Sequence, residues 1–125
     1  MNNLSDQLDG QKRLLIGVVG VCASGKSTLI KEMEARGFQM RHIAQEHSYV
    51  KDMWKRITNP DVLIFLDATY PLTLQRRQLD WTEADWAEQQ RRLSHAREHA
   101  DLYINTDDLS IEQVREIVIA FIGKL

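Results

Sequence analysis

Residues 14–28 read LLIGVVGVCASGKST. The first half is an apolar, β-branched run bounded by polar residues, which reads as a buried strand at about 13–19. The second half fits G-x-x-x-x-G-K-[ST], with Gly20, Gly25, Lys26 and Ser27 in register. The spacing has a mechanical basis. Gly20 lets the backbone turn sharply out of the strand, and Gly25 lets it pass close to phosphate oxygens where a Cβ would intrude. The backbone N–H groups between them form an anion-binding nest, and the helix starting near Lys26 aims its positive end at the same spot. The expected phosphate contacts are therefore Gly20, Cys22, Ala23, Ser24, Gly25, Lys26, Ser27 and Thr28. In such a loop the lysine reaches the β- and γ-phosphates of a nucleotide, and the Ser27 hydroxyl is a ligand for Mg²⁺.

A chain of 125 residues suits one core, with residues 1–12 as a polar tail and 13–125 as a single domain. The net charge of −2 supplies no broad basic field for nucleic acid, so any anion affinity is local. The single cysteine, Cys22, rules out an internal disulfide and suits a reducing cytoplasm. No apolar run approaches the roughly 18 residues of a membrane helix, and no signal-peptide pattern opens the chain.

After the loop, a helix over 27–36 puts Leu29, Ile30 and Met33 on one face, and Gly37 is suited to end it. Residues 38–43 alternate like a strand at or near a sheet edge, then run into the polar stretch Ala44-Gln45-Glu46-His47-Ser48. In an open α/β sheet, ligands sit at that end of the strands. Glu46 is thus a candidate general base, Mg²⁺-water ligand or acceptor contact, against the plainer reading of a solvated loop carboxylate. His47 reads as a loop or helix-entry residue. Val50, Met53, Trp54 and Ile57 fall at i, i+3, i+4 and i+7 and predict an amphipathic helix, with Trp54 in the core.

Residues 61–67, DVLIFLD, form the second apolar strand and end in an acid. A carboxylate at such a tip can hold Mg²⁺ through water, and it equally suits the turn that follows, so Asp67 is a metal candidate on position alone. Pro71 opens a helix reaching 79, with Arg76 and Arg77 near its end. Thr82 and Asp85 make a capping box for a long helix to about 99. Arg76, Arg77, Arg91, Arg92 and Arg97 lie among carboxylates, either as an ion-paired solvated face or with one or two bending over the loop. A short strand at 101–105 precedes a second capping box, Ser110 with Gln113. The final helix has an apolar face of Ile111, Val114, Ile117, Val118, Phe121, Ile122 and Leu125.

The order β-α-β-α-β-α-α-β-α predicts a three-layer α/β/α sandwich with a mostly parallel sheet of about four strands in the order 2-1-3-4. The GVCASGKST loop resembles that of P-loop NTPases of the kinase type, which act on nucleosides, nucleotides and small metabolites. Residues 59–67, NPDVLIFLD, with Arg76-Arg77 after them, are similar to a strand and helix of thymidylate and deoxynucleoside kinases. Residues 92–106, RLSHAREHADLYINT, followed by Leu109-Ser110, resemble the end of dephospho-coenzyme A and shikimate kinases.

That resemblance implies ATP with Mg²⁺, a lid opened by catalytic Arg76 or Arg77, and Asn105 and Thr106 near the adenine. The chain departs from the pattern between its first helix and the DVLIFLD strand, where only about 25 residues stand in place of a substantial acceptor-binding segment. The expectation is a minimal kinase, with Lys26, Glu46 and an arginine as catalytic groups. The alternatives are a nucleotide-binding or sensor module that acts through a protein partner, and a slow ATPase.

Overall fold

The computed structural model describes residues 13–77 and 80–125. The polar tail expected over 1–12, and the end of the helix expected to 79, lie outside the described residues. The two continuous apolar runs become the central strands. β1 (Leu15–Gly20) and β3 (Val62–Asp67) are buried almost throughout, while the mixed sequences of β2 (Gln39–His42) and β4 (Leu102–Asn105) expose most of their residues. The sheet order is β2-β1-β3-β4 with every pair parallel, the order expected. A strand covered on both faces must be apolar on both, which is why β1 and β3 take the middle.

The two-residue period sorts their side chains. Ile16, Val18, Ile64, Leu66 and Ile104 pack with Leu29 and Met33 of α1 (Lys26–Glu34) and Val114 and Val118 of α5 (Ile111–Ile122). Val19, Val21, Leu63 and Phe65 form the other core with Trp54, with Leu93, and with Ala96 of α4 (Ser94–His99). Both layers are thus sewn to one sheet. No helix among the described residues is long and apolar enough to cross a membrane.

Register is fixed by a device used twice. Asp61, just before β3, donates its N–H to the Leu15 carbonyl and accepts the Leu15 N–H on its carboxylate, each at 2.8 Å. Asp101, just before β4, does the same to Leu63, again at 2.8 Å in both directions. Each carboxylate therefore lengthens the ladder by one rung where a side chain can reach past the strand's end.

Two expected helices differ. Residues 50–57 do not form a regular amphipathic helix: a turn leads into a π-helix, Trp54–Thr58, with Trp54 buried but Val50 50% and Ile57 76% exposed. The buried Gln45 amide accepts the Trp54 N–H at 2.9 Å and donates to the Val50 carbonyl at 2.8 Å, capturing groups a helix would use. The Asn59 N–H then bonds Trp54 O, five residues back, and the wider turn rotates Ile57 outward. The long helix expected to 99 is two, α3 (Glu83–Arg92) and α4, with a turn at the fully buried Leu93. α2 (Tyr70–Arg76) starts with proline in its first turn, and the capping boxes at Thr82–Asp85 and Ser110–Gln113 both form.

Asp101→Ala leaves the partly buried Leu63 N–H without its acceptor. The expected loss of stability is about 1–3 kcal/mol in urea denaturation, with Asp101→Asn retaining part of it.

Candidate functional site

Four parallel strands place their carboxyl ends along one edge, and there the chain leaves β1 hard against β3. A Cβ on Gly20 would stand 2.0 Å from the Leu66 carbonyl oxygen, so only glycine fits. Gly25 takes φ +98°, in the left-handed region, and serves as the N-cap of α1 without any side-chain cap. The helices α3 and α5 carry full capping boxes, whereas α1, like α2 and α4, starts without a side-chain cap, and of these three only α1 starts at a glycine. The first-turn N–H groups of α1, on Lys26, Ser27 and Thr28, have no intrahelical acceptor and lie at the positive end of its dipole. Ser27 and Thr28 are exposed, whereas Ser24 is buried with an Oγ that has no hydrogen-bond partner.

Above this loop lies a recess of about 670 Å³, lined by residues 22–28 and by His42, Glu46, His47, Arg76, Arg77, Thr106, Leu109 and Ile111. Lys26 is folded down against its floor. Its Nζ donates to the carbonyls of Gly20 at 2.7 Å and Val21 at 3.0 Å, and pairs with Glu46 Oε2 at 3.0 Å, with side chains 6% and 4% exposed. Glu46 comes from the 3₁₀ turn Gln45–His47 that follows β2, and its Oε1 is buried with no partner. Gln45 anchors that turn through Val50, Trp54 and the Arg92 carbonyl.

Arg76, at the end of α2, donates to the carbonyls of Ala23 and Thr106 and to Thr106 Oγ1, and Thr106 Oγ1 donates in turn to the Asp67 carbonyl. The permanent charges lining the recess are three cations, Lys26, Arg76 and Arg77, against the single carboxylate of Glu46, which suits a polyanion. Cys22 is held by Gln89 of α3. Its N–H donates to Gln89 Oε1 at 3.0 Å, and Gln89 Nε2 donates to its Sγ at 3.1 Å.

The structure therefore gathers residues 22–28, Glu46, Arg76 and Arg77 in one recess, while Gly20 lies beneath it at the end of β1 and does not line it. The structure does not bring Asp67 or Asn105 there. Asp67 follows Leu63 and Phe65 to the opposite face of the sheet. Its carboxylate accepts from Ala68 N–H at 2.9 Å, Gln90 at 2.8 Å, Tyr103 Oη at 2.6 Å and Arg97 at 3.4 Å. Partial burial, then the Asp67 hydrogen bond and charge, push the Tyr103 phenol up to about 12. Asn105 Oδ1 accepts the Asp107 N–H, and Asn105 lines a second recess with Asp67, Gln90, Arg97 and Tyr103.

Gln45, Gln89 and His42 went unread in the sequence. A glutamine inside a polar segment or helix has no spacing signature. His42, exposed overall yet lining the recess, has its pKa lowered by partial desolvation and then by the Lys26 charge. The sequence matches no protein-family model and no curated protein.

The lowered His42 pKa carries a sign. Between that pKa and the unfolded value near 6.5 the unfolded chain binds more protons, so stability rises with pH across this window. Urea melts at a series of pH values are expected to show this rise in the wild type and a shallower one in His42→Asn.

Proposed function

We propose that this chain binds ATP by its phosphates in the recess over residues 20–27 and transfers the γ-phosphoryl group to a small acceptor. The observation that carries the reading is the convergence of Lys26 and Arg76 on the loop that leads through Gly25 into the N-terminus of α1. Amides, a lysine and an arginine around one concavity form an arrangement suited to phosphoryl oxygens. A nucleotide phosphate would replace Glu46 as the counter-charge of Lys26. The released carboxylate then accepts the proton of the acceptor's hydroxyl as that oxygen attacks the γ-phosphorus, whose bond to the bridging oxygen breaks and releases ADP. Arg76, already against the loop backbone, meets the charge that develops on the transferred group.

The donor set fits Mg²⁺ only in part. The ion would supply positive charge against the phosphate oxygens. The exposed Ser27 hydroxyl in the first turn of α1 is the chain's own ligand for it. Asp67 would have to give up four contacts across the sheet to help. A reducing compartment such as the cytoplasm suits the free thiol of Cys22 at the loop.

One observation favours a second reading, a binding module without transfer. Glu46 is buried against Lys26, where a carboxylate serves as a structural counter-ion rather than as a base.

Two variants separate these. Lys26→Ala is expected to weaken ATP binding by about 1–3 kcal/mol in calorimetry, and no binding by the wild type overturns both readings. Glu46→Gln leaves Lys26 without its counter-charge, so the free protein loses stability toward the lower end of the ~3–5 kcal/mol of a broken buried pair, because two carbonyls still hold the lysine. ATP restores that charge, so the rise in melting temperature on binding is larger in Glu46→Gln than in the wild type. If Glu46 is the base, phosphoryl transfer across a panel of small acceptors falls roughly 10²–10⁴-fold in this variant. Unchanged transfer removes the base assignment, and no transfer by the wild type leaves the binding module.

A further inference from the structure

We propose that Cys22, Glu46 and His47 form a site for a thiophilic divalent metal ion of the zinc class, at the lip of the glycine-rich loop. The Cys22 sulfur, a Glu46 oxygen and a His47 ring nitrogen all lie within 4.8 Å of one another, and Glu46 Oε2 is already 3.8 Å from His47 Nε2. Zinc bonds of 2.0–2.3 Å in a tetrahedron put ligand atoms roughly 3.3–3.8 Å apart. The set closes on an ion with an inward shift of about 1 Å, and the His47 side chain, 61% exposed, is free to make it.

A second feature points to a missing ligand. Glu46 Oε1 is buried without a hydrogen-bond partner, although its other oxygen is paired with Lys26. The carboxylate thus has one oxygen for the lysine and one left over for a metal, and rotation about its last bond sets which oxygen turns toward His47. The donors also select the ion. Sulfur and imidazole with one carboxylate suit zinc and its neighbours, whereas Mg²⁺ and Ca²⁺ require oxygen. Binding displaces the Cys22 proton to solvent, and thiolate plus carboxylate then cancel the charge of a divalent ion beside neutral His47. Gln89 holds both the sulfur and the main-chain N–H of Cys22, the outer-sphere support by which a metal-bound cysteine is oriented. Three protein ligands leave a fourth position facing the recess. None of this uses the nucleotide reading, and the site stands or falls separately.

The test uses the full chain, reduced and metal-free. Titration with Co²⁺ is expected to give a thiolate-to-cobalt charge-transfer band and tetrahedral d–d absorption, saturating at one ion per chain and abolished by Zn²⁺ but not by excess Mg²⁺. Cys22→Ser should remove the charge-transfer band. His47→Ala, at an exposed position that leaves the fold intact, should weaken Zn²⁺ binding at least about tenfold in competition with a chromophoric chelator. His99→Ala is the control, a histidine whose ring stacks on His95 with centroids 4.2 Å apart and which does not line the recess. Melting curves establish that each variant is folded. A cobalt spectrum without the thiolate band, wild-type Zn²⁺ affinity in His47→Ala, or loss of binding in His99→Ala overturns the proposal.

Discussion

The close approach of Gly20 to the Leu66 carbonyl governs the molecule's functional edge. Because that position carries no Cβ, the chain leaves β1 across the tip of β3, and the residues that follow are confined to a tight arc. Within the arc Lys26 returns to bond the Gly20 and Val21 carbonyls, and Gly25 turns the backbone into α1. Any side chain at Gly20 would push the loop away from β3 and move Lys26 off its acceptors, since the obstacle is main chain and cannot swing aside. Overpacking of this sort typically costs about 1–3 kcal/mol even in a forgiving core.

Buried amides hold the rest of the edge in place. Gln89 reaches from α3 to Cys22, and Gln45 ties the turn carrying Glu46 to Val50, Trp54 and Arg92. Thr106 joins Arg76 to the end of β3. Each group satisfies main-chain donors or acceptors that would otherwise be stranded away from water, at about 1–3 kcal/mol apiece if one were removed. The recess is therefore built by polar contacts laid over two apolar layers. Its rigidity depends on side chains far from it in sequence, Gln89 being 67 residues from Cys22.

What was legible in the sequence was what depends on near neighbours. The strand order follows from which runs are apolar on both faces, and the loop from four residues at fixed spacing. The capping boxes follow from pairs three residues apart. Asp67 was readable as a strand tip but not by face. Its direction depends on the parity it shares with Leu63 and Phe65, and on which layer α1 joins, and neither is local. The period of Val50, Met53, Trp54 and Ile57 misled for a related reason: Gln45 competes for the same backbone groups, and a period cannot register a competitor outside its window. Gln45 left no trace because its partners are backbone atoms, which every residue possesses, and Gln89 because its partner, Cys22, is 67 residues away.

Glu46 gives the recess a tethered competitor. It occupies the ammonium of Lys26 from within the same chain, so its effective concentration there far exceeds that of any dilute ion in solution. A singly charged anion such as chloride or acetate offers Lys26 no more than the carboxylate already does, and meets the cost of evicting it. An anion with several oxygens and more than one negative charge gains contacts with the α1 amides and the arginines that Glu46 does not make. The pair thus acts as a threshold: it disfavours small singly charged anions by charge number before shape enters.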